Sequence, residues 1–186
     1  MSKSRKFIAA AVIACAFGAP AFAQQKTEIK TGPRYHIGRA PTVDEIRGWD
    51  IDVRPDGQGL PEGKGTVAQG EKLFMDNCSS CHGEFGEGSG RWPVLAGGKD
   101  SLTSDNPVKT VGSYWPYAST VFDYVRRSMP YNMPRSLPDD EVYALTAYIL
   151  SLNKLIGEND VMDAKTLPQV KMPNRDNFII PYPDRI

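Results

Sequence analysis

From Thr66 onward, apolar residues recur at spacings of three and four, the period of an amphipathic helix. Three helices are predicted in this way, over residues 66–78, 117–129 and 138–155. The last opens with a proline and acidic residues, which favour a helix N-terminus because they complement the helix dipole. The residues expected to face a core are Val67, Gly70, Leu73, Phe74, Cys78, Val121, Phe122, Val125, Val142, Leu145, Tyr148, Ile149 and Leu152.

The segments between and after these helices lack such a period. Residues 83–113 are rich in glycine, serine and aspartate and are predicted to form a long loop. Prolines break the segment between the second and third helices. Residues 156–186 contain several prolines and are predicted to run extended over a surface, with one short helical turn near Asp160.

Residues 24–65 are predicted to be an irregular extension around one short helix. Thr42 and Glu45 have the spacing of a capping box, in which each side chain accepts a hydrogen bond from the other residue's backbone N–H. The apolar residues that follow are expected to anchor this extension on the core. They are Ile46, Trp49, Ile51 and Val53.

The N-terminus has the pattern of a signal peptide over residues 1–23. Three basic residues precede an apolar run that ends in Ala21-Phe22-Ala23, a typical cleavage site. This run is too short, and too interrupted by glycine and proline, for a membrane span. We therefore expect a protein exported to the periplasm. A lipoprotein signal with Cys15 as the lipidated residue is the alternative.

Charge and cysteine content narrow the function. The formal net charge is zero, so no basic surface indicates a nucleic-acid partner. Removal of residues 1–23 leaves two cysteines, Cys78 and Cys81, followed at once by His82. A zinc site would need further ligands, and a thioredoxin-type pair would follow a strand. The sequence Cys-x-x-Cys-His is instead typical of covalent haem c attachment, with His82 as an iron ligand.

A methionine is the expected second axial ligand. Met75 lies one helical turn before Cys78 and cannot reach the other side of a haem. Met129 and Met133 are each followed by proline, in the loop between the last two helices. We favour Met129, because the longer segment up to Leu137 leaves room for the loop to cross the ring, and keep Met133 as the alternative. His36 is a weaker candidate.

Residues around the haem are predicted from the same loops. His82 needs an acceptor for its Nδ1–H, and the carbonyl of Pro93 is the best candidate. The haem propionates need hydrogen-bond donors, which one polar, aromatic segment supplies. We assign this role to Tyr114, Trp115 and Tyr117, beside Lys109 and Ser113.

With these features the chain resembles the class I c-type cytochromes. The resemblance rests on "LFMDNCSSCHG", "PVLAGG", a Met-Pro loop and "DDEVYALTAYI", in that order. It implies an all-α fold of three to four helices around one haem, over residues 66–153, with extended N- and C-terminal arms over residues 24–65 and 154–186. It also implies that Gly70 and Phe74 cross the last helix near Tyr148.

The arms extend the resemblance to the SoxD-type cytochrome subunit of periplasmic sulfur (sulfane) and sulfite dehydrogenases. The stretches that carry it include "GRAPTVDEIRGWDIDVRPDGQGLPEG", "KTVGSYWPYASTVFDYVRRSMPY" and "LPQVKMPNRDNF". Some members of this family have a second Cys-x-x-Cys-His domain, whereas this sequence has one such motif.

The resemblance implies an electron-transfer subunit and no catalysis by this chain alone. Its electron donor would be a molybdenum-cofactor dehydrogenase subunit, and its acceptor another cytochrome of the respiratory chain. The arms would then embrace the molybdenum subunit. The alternatives are a free periplasmic shuttle whose arms pack on its own haem domain, and a haem enzyme that acts on thiosulfate or peroxide.

Overall fold

The computed structural model describes residues 37–179. Residues from Thr42 onward form one unit, separate from the residues up to Pro41, and every element below belongs to it. The predicted signal peptide, Cys15 and His36 lie outside the described residues. The elements in chain order are α1 (Val43–Trp49), β1 (Lys64–Thr66), α2 (Val67–Asn77), α3 (Ser79–His82), α4 (Ala118–Ser128), α5 (Asp139–Leu152) and β2 (Val161–Asp163), followed by 3₁₀ turns at Leu167–Gln169 and Arg175–Asn177.

The three helices that the apolar period predicts are present as α2, α4 and α5, each within a few residues of its predicted ends. Thr66 caps α2 through a capping box with Gln69. The long loop over residues 83–113 and the proline-broken loop before α5 are also present. The predicted all-α class is therefore correct, with one small two-stranded sheet added to it.

Helix α5 is the centre of the fold. All nine residues from Val142 to Leu150 are buried, so the helix is covered on every side. The sequence pattern had predicted burial along one stripe only, which was wrong for this part of the helix. Helix α2 crosses it so closely that a Cβ at Gly70 would overlap the carbonyl group of Ala144. Beside this crossing, the rings of Phe74 and Tyr148 lie 5.2 Å apart. The crossing that the family resemblance implied is thus present.

The C-terminal arm packs on the helices. Strand β2 pairs antiparallel with β1, with Gly65 opposite Met162, and both residues are buried. Leu167 and Met172 are buried as well. The expected helical turn near Asp160 was wrong: a hydrogen-bonded turn over Gly157–Asp160 leads into β2, and the 3₁₀ turns come later. Three-residue strands carry no alternating pattern, so their pairing depends on contacts remote in sequence.

The N-terminal arm is only partly anchored as predicted. The capping box is present, because Thr42 N–H donates to Glu45 Oε2 at 2.7 Å and Glu45 N–H donates to Thr42 Oγ1 at 3.2 Å. However, Ile46 and Trp49 are 48% and 87% exposed, so the prediction that they pack on the core was wrong. Ile51 is half-buried, and Val53 contacts the core.

Polar contacts after α1 explain where this arm attaches. Asp52 forms an ion pair with Arg127 at 2.7 Å. Further along, the hydroxyl of Tyr143 donates to the carbonyl of Pro61 at 2.8 Å. These contacts hold residues 50–63 against α4 and α5 and leave α1 outside the core. None of the helices in residues 37–179 is long and apolar enough to span a bilayer.

We predict that Gly70→Ala will lower the free energy of unfolding by about 3 kcal/mol, because the added methyl group meets the backbone of Ala144 and forces the two helices apart. Urea unfolding followed by circular dichroism measures this loss. Gly48→Ala, in exposed α1 where nothing lies within 4 Å of the new Cβ, is the control and should be neutral or slightly stabilising. Equal effects of the two substitutions would contradict the close crossing.

Candidate functional site

One turn of helix brings the two cysteines and His82 together. Cys78 ends α2, where its N–H donates to the carbonyl of Phe74 at 2.8 Å, and it also begins α3. The N–H groups of Cys81 and His82 donate back to the Cys78 carbonyl at 3.1 and 2.9 Å. Spacings of three and four residues on a helix place side chains on one face. All three side chains are half-buried, and the two cysteines are not joined by a disulfide.

The imidazole of His82 has a defined orientation. Its Nδ1 lies 2.9 Å from the carbonyl oxygen of Pro93, the acceptor that the sequence predicted. A carbonyl oxygen only accepts hydrogen bonds, so the proton of neutral His82 must be on Nδ1. The lone pair of Nε2 is then available for a metal, and the hydrogen bond increases its basicity.

The state of Cys78 argues against a redox-active dithiol. Burial, and to a smaller extent the neighbouring Cys81, raises the pKa of the Cys78 thiol to about 11. Thioredoxin-type cysteines need a lowered pKa, because the thiolate is the nucleophile. A protonated, half-buried thiol is a poor nucleophile for disulfide exchange.

The loop after His82 turns sharply at Gly83. This residue has φ 77°, in the left-handed region that glycine adopts without strain, and a Cβ here would overlap the carboxylate of Glu87. Glu87 Oε2 accepts a hydrogen bond from the N–H of Phe85 at 2.8 Å. Hydrogen bonds from its own N–H and from that of Phe85 lower the pKa of the Glu87 carboxyl. The carboxylate therefore stabilises the turn that begins the path to Pro93.

Asn153 holds the far end of this loop, and sequence analysis did not identify it. Its Nδ2 donates to the carbonyls of Leu95 and Ile149 at 3.0 and 2.9 Å, and its Oδ1 accepts from the N–H of Gly97 at 3.1 Å. One amide thus joins the end of α5 to the segment just after Pro93. The signal in the sequence was an asparagine at a predicted helix end, where its side chain can bond backbone groups.

The two candidate methionines differ in burial. Met129 ends α4, its N–H donates to the carbonyl of Val125 at 3.0 Å, and its side chain packs half-buried against the core. Met133 lies four residues further along the loop and is 54% exposed. Buried packing fixes the position of Met129 more firmly than that of Met133.

The three predicted propionate residues lie in one segment but have separate partners. Tyr114 contacts the ring of Phe178 at 5.5 Å and the Nζ of Lys109 at 5.1 Å. Trp115 packs edge-on against Tyr124 at 5.7 Å. The guanidinium of Arg175 lies 5.4 Å from the ring centre of Tyr117. The C-terminal arm therefore orders this segment, a contribution that sequence analysis did not predict.

The residues present fit a haem c group. Two thiols and one oriented imidazole match covalent attachment with a single histidine ligand. In residues 37–179, no three His, Cys, Asp or Glu side chains converge as zinc or another bare metal ion would require. Several apolar side chains pack on the core yet keep part of their surface accessible. They include Leu73, Leu95, Trp115, Met129 and Leu137.

Comparisons with known proteins identify the family of the chain. The family model described as Cytochrome c matches residues 67–153. A chain in the crystal structure of the sulfane dehydrogenase SoxCD from Paracoccus pantotrophus is 52% identical and superposes with a TM-score of 0.76, over 81% of this chain and 73% of that one.

Two curated relatives are also similar. The thiosulfate dehydrogenases of Psychrobacter arcticus and Stutzerimonas stutzeri are 28% identical over 121 and 117 residues, which is 60% of this chain in each case. The matches cover 35% and 34% of those proteins. The chain thus spans about a third of the length of the curated relatives it matches.

The fold and the Cys78–His82 turn define a c-type cytochrome, and the chain belongs to the cytochrome c family. Membership implies covalently bound haem c, consistent with the cysteines at positions 78 and 81. Within the family, the predicted resemblance to SoxD-type cytochromes is confirmed by the similarity to the SoxCD chain. The relatives it matches are a sulfane dehydrogenase and two thiosulfate dehydrogenases.

We predict that Asn153→Ala will lower the free energy of unfolding by about 2–3 kcal/mol, because three hydrogen bonds are lost and the N–H of Gly97 loses its partner. Urea unfolding measures the loss. Relative to the wild type, the variant should also show a larger increase in hydrogen-exchange rate in residues 93–97 than in α2. Asn106→Ala, at an exposed position of the same long loop, is the matched control. Similar unfolding free energies for both variants would contradict this role.

Proposed function

We propose that this chain is a periplasmic monohaem cytochrome that accepts electrons from a molybdenum-containing sulfane-sulfur or sulfite dehydrogenase subunit and passes them to another cytochrome. The observation that carries this proposal is the oriented His82 within a Cys-x-x-Cys-His turn, on a chain 52% identical to part of a sulfane dehydrogenase. When bound, haem c supplies a one-electron iron couple.

The chain's own residues would hold this group and adjust it. Cys78 and Cys81 would provide the two thioether bonds, and His82 and Met129 the axial ligands, with Met133 as the alternative. Pro93 fixes the ring of His82, and Asn153 fixes the loop that carries Pro93. Tyr114, Trp115 and Tyr117 remain the proposed partners of the propionates. With both His82 and a methionine as ligands, a bound haem iron would have no position open to a substrate, which suits electron transfer better than catalysis.

Periplasmic location is part of this proposal. It rests on the signal-peptide pattern of residues 1–23 and on the similarity to a sulfane dehydrogenase. An exported protein with two closely spaced cysteines that are not paired is unusual, because secreted cysteines normally form disulfides. Thioether bonds to haem would account for both thiols.

Helix α1 is the proposed contact with the molybdenum subunit. Its apolar residues lie three apart, on one face, and this face is solvent-exposed: Val43, Ile46 and Trp49 are 74%, 48% and 87% exposed. Large exposed apolar side chains in a row are typical of protein interfaces, and tryptophan is common among residues that dominate binding energy. The C-terminal arm packs on the cytochrome domain itself, so the proposed embrace rests mainly on the N-terminal arm.

A haem enzyme that acts on thiosulfate is the second candidate function, and the similarity to thiosulfate dehydrogenases favours it. Such an enzyme needs an iron position that an external ligand can occupy. Rapid cyanide binding to the ferric protein, with no sign of methionine ligation, would favour this candidate over electron transfer. A free periplasmic shuttle is the further alternative and predicts no stable partner.

We predict that Met129→Ala will abolish the weak far-red absorption band of methionine-ligated ferric haem, because the half-buried Met129 supplies the sulfur ligand. Visible spectra of the purified holoproteins measure the band. Met133→Ala, which changes an exposed methionine of the same loop, is the matched control and should retain it. The reverse pattern would assign the ligand to Met133, and loss in neither variant would exclude both.

We predict that the double substitution Ile46→Ala and Trp49→Ala will reduce recovery of the molybdenum subunit at least tenfold, since interfaces depend on a few large apolar anchors. The measurement is affinity purification of the full-length cytochrome from periplasmic extract, followed by mass spectrometry and molybdenum analysis. Asp44→Ala, on the same exposed helix but on the side opposite its apolar face, is the control. A wild-type protein that retains no molybdenum protein would contradict the proposed partner.

A further inference from the structure

Two aromatic side chains join the loop after His82 to the loop that contains both candidate methionines. The ring centres of Trp92 and Tyr131 lie 5.7 Å apart at an interplanar angle of 60°. This separation and tilt are within the range of favourable aromatic contacts. The guanidinium of Arg91 lies 4.7 Å from the ring centre of Trp92 and adds a cation–π contact. We name Trp92 and Tyr131 the aromatic bridge.

The position of the aromatic bridge relates it to both proposed axial ligands. Trp92 directly precedes Pro93, whose carbonyl accepts the hydrogen bond of His82. Tyr131 lies midway between Met129 and Met133, two residues from each. The aromatic bridge therefore ties the histidine side of the proposed haem site to the methionine side, whichever methionine is the ligand.

We name the loop between α4 and α5, which contains both candidate methionines, the methionine loop. This loop needs a contact with a second segment to hold it in place. Residues 131–136 are exposed, and Tyr131 itself is 72% exposed. Within the loop, the N–H of Met133 donates to the carbonyl of Pro130 at 2.9 Å. Exposed segments with little buried apolar surface open locally at a small free-energy cost, unlike buried helices such as α5. A contact that links this loop to a second segment lowers the population of the open state.

We propose that the aromatic bridge holds the methionine loop against the loop that follows His82 and so slows replacement of the methionine ligand by an external ligand. Trp92 and Tyr131 are positioning residues: they act on the methionine through the loop and need no contact with the iron. The inference rests on the proposed methionine ligation, whereas the effect on the loop itself does not.

Cyanide binding to the ferric holoprotein tests the inference. Trp92→Leu and Tyr131→Leu should each bind cyanide about 2- to 10-fold faster than the wild type, the factor expected for loss of one aromatic pair. The double variant should be little faster than either single variant, because both substitutions remove the same contact. Tyr131→Phe keeps the ring and should behave as the wild type.

The matched control is Phe85→Leu. Phe85 is an aromatic residue of the same histidine-side loop and is 65% exposed, but its ring is in none of the aromatic pairs found in residues 37–179. Its substitution should leave the cyanide rate unchanged. Equal acceleration by Phe85→Leu would show a general effect of surface aromatics and overturn the inference.

Hydrogen–deuterium exchange separates failure of this inference from failure of the proposed ligation. Residues 130–137 should exchange about 2- to 10-fold faster in Trp92→Leu and Tyr131→Leu, while α5 remains as protected as in the wild type. Unchanged exchange in this loop overturns the aromatic bridge, whatever the iron ligand is. If the two variants exchange faster in this loop but the wild-type protein lacks the far-red methionine band, the aromatic bridge is supported and methionine ligation is contradicted.

Discussion

The close crossing of α2 over α5 is the constraint on which the rest of the structure depends. Gly70 lets the two backbones approach until a single methyl group would not fit between them. Helix α5 is buried on all sides from Val142 to Leu150, so its position is determined by α2, α4 and the small sheet together. Since Cys78 ends α2, this crossing also decides where the cysteine–histidine turn begins.

The candidate site is connected to that crossing from both ends. On one side, α2 leads directly into α3 and thus to His82. On the other side, Asn153 at the end of α5 holds the segment just after Pro93, whose carbonyl orients His82. The helix pair thereby fixes the ring of His82, which lies at the end of the one-turn helix α3.

The two arms have different physical characters. The C-terminal arm completes the fold: β2 pairs with β1, Leu167 and Met172 fill the core, and Asn174 donates to the carbonyl of Tyr114 at 2.9 Å. The N-terminal arm is attached through residues 50–63 but presents α1 with its apolar face uncovered. Burial of one arm and exposure of the other are consistent with an arm that belongs to the domain and an arm that is available to a partner.

The sequence by itself determined the features that follow from local rules. Helical periods placed α2, α4 and α5, the spacing of Thr42 and Glu45 predicted the cap of α1, and Cys-x-x-Cys-His indicated the cofactor. Pro93 was also predictable, because a histidine ligand requires an acceptor and the loop supplies one. Only the tertiary structure decided the β1–β2 pairing, the exposure of Trp49, the three hydrogen bonds of Asn153 and the contact of Trp92 with Tyr131. Each of these joins residues far apart in the chain or depends on what covers a face, and neither property is encoded in a local pattern.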